Sequence, residues 1–278
     1  MAAKLTPFAI AYDFDGTLSP GNMQEYDFIP ALGIKPSEFW KKAKQIAKEQ
    51  NADEILAYMQ CMLEQAKIAK VSVRKKAFSD FGKQISFFPG VEEWFDRIKA
   101  YGRERDVKVE HFLISSGLRE MVQGTKIARK FTEIYASGFM YDQDQIAFWP
   151  ALAVNYTTKT QYLFRINKGS FDVYDNSKIN KFTPQSERYV PFSNMIFLGD
   201  GETDIPCMRL VKAQGGYSIA VFNPKKRNAK TKANQLLNEG RASLIAPADY
   251  SLDSTIDKAV KAIVDIVAAN AKLMKAGR

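Results

Sequence analysis

A chain of 278 residues, 46% hydrophobic and 26% charged, has an ordinary globular composition and room for one large domain or a domain with a smaller companion. No apolar run approaches the roughly 20 residues of a membrane-spanning helix, and two cysteines far apart in sequence, Cys61 and Cys207, exclude a disulfide framework. The formal charge of +9 admits a polyanionic partner, but the lysines are spread along the chain without interleaved aromatics, so a solvated basic surface accounts for them. The Met1–Pro7 stretch lacks the apolar run of a signal peptide. With so few cysteines, the expected location is cytoplasmic.

Phe8 to Tyr12 is a short apolar run of the kind a buried parallel strand shows. It ends in Asp13, Asp15, Gly16 and Thr17. Ligands of open α/β sheets bind beyond the carboxyl ends of strands, and two acids next to an apolar run are costly unless a cation or hydrogen bonds compensate. That cost is the first indication of a metal; an Asp–Gly turn is the plain alternative for the stretch alone. Leu18 to Asn22 is a turn cluster. Residues 24 to 84 then read as helical. Ser37 is the expected cap of a helix from Glu38 to Glu49, Ile55, Met59, Met62, Leu63 and Ala66 mark one face of a second, and residues 72–82 give a third. A helical block without a strand predicts a small cap domain, residues 19–87, inserted into a core made of 1–18 and 88–278.

Phe87-Phe-Pro-Gly90 marks the return to that core, followed by a helix face of Val91, Trp94, Phe95 and Ile98. Val107 to Ile114 reads as the second core strand, ending in Ser115-Ser116-Gly117 before a helix near Leu118. A Ser hydroxyl and the first N–H groups of a helix make an anion site, or an ordinary N-cap. His111, the single histidine, sits inside the strand and reads as a packed residue, since a lone His cannot build a His-rich metal site. Phe131 to Gly138 is a further strand, and Met140 to Val154 a hairpin-like excursion turning at Asp142–Asp144. Thr157 or Thr158 is expected to cap the next helix, with Lys159 in its first turn, where a cation opposes the helix dipole. That cost hints that Lys159 serves something else; Lys168 is its competitor. Residues 167–191 read as a loop or small insertion. Asn194 to Leu198 is a third core strand, ending in Gly199-Asp200-Gly201-Glu202-Thr203-Asp204 and running into a helix with Met208, Leu210 and Val211. Ser218–Val221 and Ser243–Ile245 are short strands, Asn223-Pro224 opens a lysine-rich helix, and Ile256, Val260, Ile263, Val264 and Val267 line a closing helix. The alternation predicts an α/β fold with a doubly wound, mainly parallel, Rossmann-like sheet and a small helical cap domain after the first strand.

In this order, Asp13-x-Asp15-Gly-Thr, Ser115-x-Gly117, Lys159 and Gly199-Asp200-x-x-x-Asp204 resemble the haloacid dehalogenase-like superfamily of phosphatases over nearly the whole chain. The layout is most similar to its phosphoserine-phosphatase-like branch. Phosphoryl transfer needs an in-line nucleophile, charge neutralisation on the equatorial oxygens and an acid for the leaving oxygen. The resemblance gives Asp13 as the nucleophile, forming an aspartyl-phosphate, and Asp15 as the general acid and then base. It gives Mg²⁺ held by the side chains of Asp13 and Asp200 and the backbone carbonyl of Asp15, with Asp204 a further ligand or an orienter of Lys159. Ser115, the Ser116 N–H and Lys159 would bind the phosphate. Asp15 also separates branches: a dehalogenase has no alcohol to protonate, and the pumping ATPases carry Thr there. The position of the phosphoserine-binding cap Glu is matched by Asn22, and the helical block up to residue 82 has a single arginine, Arg74, which argues against phosphoserine. Gln24, Glu25 and Tyr26 are the candidates for substrate specificity. The expected partner is a small phosphorylated metabolite, with no membrane; nucleic acid is not expected, though the basic charge does not exclude it. The alternatives are a macromolecular phosphate ester, or a polyanion-binding protein that keeps the fold without turnover.

Overall fold

Phe8 to Tyr12 are wholly buried because both faces of their strand are covered. The computed structural model describes residues 5–276. Its elements, in chain order, begin with β1 (Thr6–Tyr12), α1 (Phe28–Ala31), α2 (Pro36–Gln50), α3 (Glu54–Ala69), α4 (Lys75–Gly82) and α5 (Val91–Arg103). Then come β2 (Val107–Leu118), α6 (Arg119–Gly124), β3 (Glu133–Tyr141), β4 (Ala147–Leu152) and α7 (Lys159–Lys168). The chain closes with β5 (Met195–Gly199), α8 (Ile205–Ala213), β6 (Tyr217–Phe222), α9 (Ala229–Asn238), β7 (Leu244–Pro247) and α10 (Thr255–Ala276).

The seven strands lie in the order β4-β3-β2-β1-β5-β6-β7. Every neighbouring pair is parallel except β3–β4, which is an antiparallel hairpin turning near Asp142. On one face Phe8, Ile10 and Tyr12 pack with Val91, Trp94 and Ile98 of α5 and Ile256, Val260 and Ile263 of α10. On the other, Ala9 and Ala11 belong to a core with Leu163 and Ile166 of α7 and Cys207, Met208 and Val211 of α8. The sheet is thus doubly wound, which is why its strands read as continuous apolar runs and not as alternations.

One polar chain crosses the first face. Trp94 Nε1 donates to the Tyr12 hydroxyl at 2.8 Å, that hydroxyl reaches His111 Nδ1 at 2.8 Å, and His111 Nε2 meets the Phe95 carbonyl at 3.3 Å. Burial, then the charge of Lys99, lowers His111 to about 3, so it is a neutral packed residue whose two nitrogens accept and donate in turn.

Four local expectations are corrected. α2 starts at Pro36, after Lys35, and Ser37 lies inside its first turn; Pro, with its fixed φ and absent N–H, suits that start. Thr158 stands at the N-cap of α7 as expected, but its side chain makes no capping bond; Asn155 Oδ1 instead accepts from the N–H groups of Thr157 and Thr158, at 3.2 and 3.0 Å. Asn223-Pro224 does not open α9; Asn223 Oδ1 accepts from Lys225 N in a turn, and the helix begins at Ala229 after left-handed Asn228. β2 continues beyond Ile114 to Leu118, with an irregular register between Ser115 and Leu118.

The helices between β1 and α5 attach in two ways. α2 and α3 pack chiefly on each other, whereas α4 lies against α6. A Cβ on Gly82 would overlap the Met121 carbonyl, and one on Gly124 the Ser79 carbonyl, so the α4–α6 crossing is backbone against backbone. Phe78 of α4 also stacks on Phe139 of β3, with centroids 5.7 Å apart. The loop at 167–191 is organised from α7. Buried Arg165 donates to the carbonyls of Ser170, Asp172, Val173 and Asp175 and to Asn176 Oδ1. No described helix is long and apolar enough to cross a membrane.

Candidate active site

The strand order reverses direction at β1, between β2 and β5, and such a reversal opens a crevice at the carboxyl edge. Tyr12 is level with Leu113 of β2 and Leu198 of β5. Asp13 and Asp200 therefore leave the sheet, and Ser115 stands near the end of its strand, at one edge. The Asp13 N–H still bonds the Leu198 carbonyl at 2.9 Å, which fixes the acid where the strand ends.

Lys159 joins the motifs. Its Nζ lies 2.7 Å from Asp13 Oδ1 and 2.7 Å from Asp204 Oδ1, and all three side chains are buried. Burial alone would pull the ammonium down, but the two carboxylates overcome it and raise Lys159 well above the usual lysine range. Lys168 is elsewhere: its Nζ donates to the carbonyls of Ile179 and Lys181 at 2.6 and 2.7 Å. Asp204 Oδ2 accepts from the backbone N–H groups of Asp200 and Gly201, at 3.1 and 3.4 Å, and so folds the loop after β5 around itself.

Carboxylate oxygens of Asp13, Asp200 and Asp204 lie within 4.8 Å of one another. Asp13 and Asp204 are buried and Asp200 is exposed at the rim. Desolvation and the neighbouring Asp204 raise Asp13 to about 6 despite Lys159. Asp15 accepts from Met23 N at 2.9 Å through Oδ1. Desolvation, followed by the charge of Asp13, holds Asp15 well above the ordinary carboxylate range. Desolvation, then the charges of Asp13 and Asp204, raises Asp200 to about 8, so the crowding of these acids around one ammonium is a cost that a cation would relieve. The all-oxygen donor set fits a hard cation such as Mg²⁺.

Glycines make the crowding possible. Gly16 has φ +82°, and a Cβ there would overlap the Asp200 carboxylate. A Cβ on Gly199 would overlap Asp204, and one on Gly117 would overlap Met23 and stand 3.2 Å from Asp15 Oδ2. Ser115 Oγ accepts from Gly117 N at 3.0 Å, and the Ser116 carbonyl takes the Tyr58 hydroxyl at 2.7 Å.

The structure thus gathers Asp13, Asp15, Asp200, Asp204 and Lys159 around one edge, with Ser115 and Ser116 at the end of the adjoining strand. Gln24, Glu25 and Tyr26 follow directly on Met23. Glu25 accepts from Trp40 Nε1 and Asn22 Nδ2, at 2.6 and 2.7 Å, and the Tyr26 hydroxyl meets Ser19 Oγ at 2.9 Å. Gln24 is buried, and its Oε1 has no partner among the described residues. Two contributors escaped the sequence reading. Tyr58 shares a helix with the marked apolar face but was masked by its aromatic character. Asn155, four residues before Lys159, carried the N-cap preference of Asn as its signal. Its Nδ2 also donates to Asp53 Oδ2 at 2.7 Å, and Asp53 Oδ1 caps α3.

A Borreliella burgdorferi protein described as uncharacterized is 27% identical over 270 residues, covering 87% of this chain and 91% of that one. Among solved structures, a hydrolase from Salmonella enterica serovar Typhi is 19% identical, with a TM-score of 0.53, and covers 82% of this chain. The match takes in 66% of that hydrolase, so this chain spans just under two thirds of it. A phosphoserine phosphatase described as a phospho-aspartyl intermediate analogue is 17% identical, with a TM-score of 0.55, covering 86% of this chain and 93% of that one. A probable phosphoserine phosphatase from Vibrio cholerae is 14% identical, with a TM-score of 0.59, covering 96% and 67%. These structures share the fold. The model of the haloacid dehalogenase-like hydrolases matches residues 10–209, a span that holds every acid of the cluster and the lysine that bridges them, and the chain belongs to that family.

Proposed function

We propose that the protein is a Mg²⁺-dependent phosphatase that hydrolyses a phosphate monoester through an aspartyl-phosphate on Asp13. The observation that carries this reading is Lys159 bridging Asp13 and Asp204 at 2.7 Å each, beside Asp15 and Asp200. Asp13 attacks phosphorus in line, the bond from phosphorus to the leaving oxygen breaks, and Asp15 gives that oxygen its proton. Water then attacks the phosphorylated Asp13; Asp15 takes a proton from it, the bond from phosphorus to Asp13 breaks, and inorganic phosphate leaves. The raised proton affinity of Asp15 suits the first of its two tasks. Lys159 holds Asp13 in place and, with Ser115 and the Ser116 N–H, receives the phosphoryl oxygens. Asp13, Asp200 and the Asp15 carbonyl would hold Mg²⁺, with Asp204 orienting Lys159; the ion would neutralise charge on the phosphoryl group.

The helical segment from 19 to 87 serves in this reading as a cap. Support comes from its reach to the site: Met23 N on Asp15, Tyr58 on the Ser116 carbonyl and Asp53 on Asn155. A small phosphorylated metabolite is the proposed substrate, and Gln24, with a buried amide oxygen left without a partner, is the group of the cap entry best suited to read it.

The test is release of phosphate from p-nitrophenyl phosphate by the native protein and Asp13→Asn, with Mg²⁺ and with chelator. Turnover that requires Mg²⁺ and falls by at least about 10³-fold in the variant is expected. Equal turnover by the two proteins would sink Asp13 as nucleophile. A folded, Mg²⁺-binding protein without turnover would favour a polyanion-binding role.

A further inference from the structure

β6 runs beside β5 with Ala220 opposite Gly199, so the chain beyond Phe222 leaves the sheet at the edge where Asp200 stands. The segment that follows, Asn223-Pro-Lys-Lys-Arg-Asn-Ala-Lys-Thr-Lys232, carries Lys225, Lys226, Arg227, Lys230 and Lys232 within eight residues. All five are exposed. Among the described residues none of the five side chains enters an ion pair; the basic members of the ion pairs all lie elsewhere. No acid occurs from Asn223 to Asn238, and the neighbouring loop after β5 adds Glu202 alone outside the cluster.

Local stability gives no reason for this density. Like charges at such spacing repel, and Lys230 and Lys232 sit at the start of α9, the end of a helix where cations are disfavoured. β5 and β6 end within two residues of each other, so this segment and the loop that carries Asp200 leave the sheet side by side. The concentration therefore lies at the sheet edge that carries the acid cluster.

We infer that the Asn223–Lys232 segment is a rim site for a substrate whose leaving group is itself anionic, a phosphate monoester that carries at least one further phosphate. This deepens the phosphatase reading and rests on it. The second phosphate would meet Lys225, Lys226 and Arg227 while the first meets Lys159. Two sources supply that chemistry, a small bisphosphorylated metabolite and the phosphorylated end of an oligonucleotide.

The experiment measures kcat/KM of the full chain with Mg²⁺ on p-nitrophenyl phosphate, fructose 6-phosphate, fructose 1,6-bisphosphate and 5′-phosphorylated decathymidylate. Native protein is compared with Lys225→Gln/Lys226→Gln/Arg227→Gln and with the charge-keeping Lys225→Arg/Lys226→Arg. The expected result is a preference of at least about 10-fold for one of the substrates with further phosphates over the monophosphates at low salt, carried by KM. That preference falls as salt rises from about 50 to about 300 mM, is lost in the Gln variant and is kept in the Arg variant. Preference for the bisphosphate assigns a metabolite, and preference for the oligonucleotide a nucleic-acid end. A native enzyme without the preference, or a Gln variant that retains it, overturns the rim site. If no ester is turned over, the phosphatase reading fails by itself; calorimetric binding of the two fructose phosphates then decides, and a bisphosphate advantage equal in native and Gln variant overturns the rim.

Discussion

Lys159 is a cation whose removal would be felt through its neighbours. In Lys159→Met the carboxylates of Asp13 and Asp204 face each other without a partner, and breaking a buried ion pair from one side typically costs about 3–5 kcal/mol. Protonation offers relief, and its direction can be worked out. Desolvation and Asp204 already raise Asp13 to about 6, above the roughly 3.9 of an aspartate in an unfolded chain. Between those values the folded form holds a proton that the unfolded chain has released, so stability falls as pH rises through that window. Urea unfolding in chelator is therefore expected to show a larger deficit of the variant relative to native at pH 8 than at pH 5, and equal deficits would refute this account. The oddity of Lys159 was visible in sequence as a cation at the wrong end of a helix. Its advantage over Lys168 was not, because the carbonyls of Ile179 and Lys181 that engage Lys168 are brought to it only by the folded loop. Arg165 was unreadable for the same reason, since its acceptors are chiefly backbone carbonyls, which carry no residue-type signal.

Elements were legible where apolar runs ended abruptly. β1, β2 and β5 each combine a fully buried run with a polar end, and these polar ends hold most of the acid cluster. Helix starts were read less well. Pro36 and Asn228 mark the starts of α2 and α9, whereas Ser37 and Asn223-Pro224 are better known signals lying close by; at α7 the capping bond comes from Asn155 and not from the Thr158 hydroxyl. Nothing in the pattern revealed that α4 presses on α6, because a glycine inside a helix reads as a weakness until its neighbour is seen. That crossing makes a prediction. Gly82→Ala and Gly124→Ala each drive a methyl group into a carbonyl of the opposing helix, and overpacking of this kind costs about 1–3 kcal/mol. The double variant should lose less than the sum, because once the helices separate for one methyl group there is room for the other. Chemical unfolding of the two single variants and the double variant measures this; strict additivity, or no loss at either position, would show that the helices are not held this closely.

At the scale of the whole molecule, the sheet order puts residues 13, 115, 159, 200 and 204 at one place although they span most of the chain. The alternation of strands and helices was enough to foresee that edge, because a doubly wound sheet places its strand ends together whatever the intervening loops do. The intervening helices do not share one attachment. α4 is wedded to α6 through backbone contact, while α2 and α3 lean chiefly on each other and reach the remainder through a smaller contact of α3 with β4, through Trp40 and Tyr58, and through the Asp53–Asn155 bond. The helices between β1 and α5 are therefore not one body in their fluctuations. Amide hydrogen exchange should divide them: α4 protected together with α6 and the sheet, and α2 with α3 opening as a separate, less protected pair. A single protection level across all four helices would contradict that division. If it holds, and if these helices serve as the proposed cap, access to the acids is governed by a two-helix flap hinged beside a fixed third helix, and the dwell time of anything bound beneath is set by how often that pair lifts.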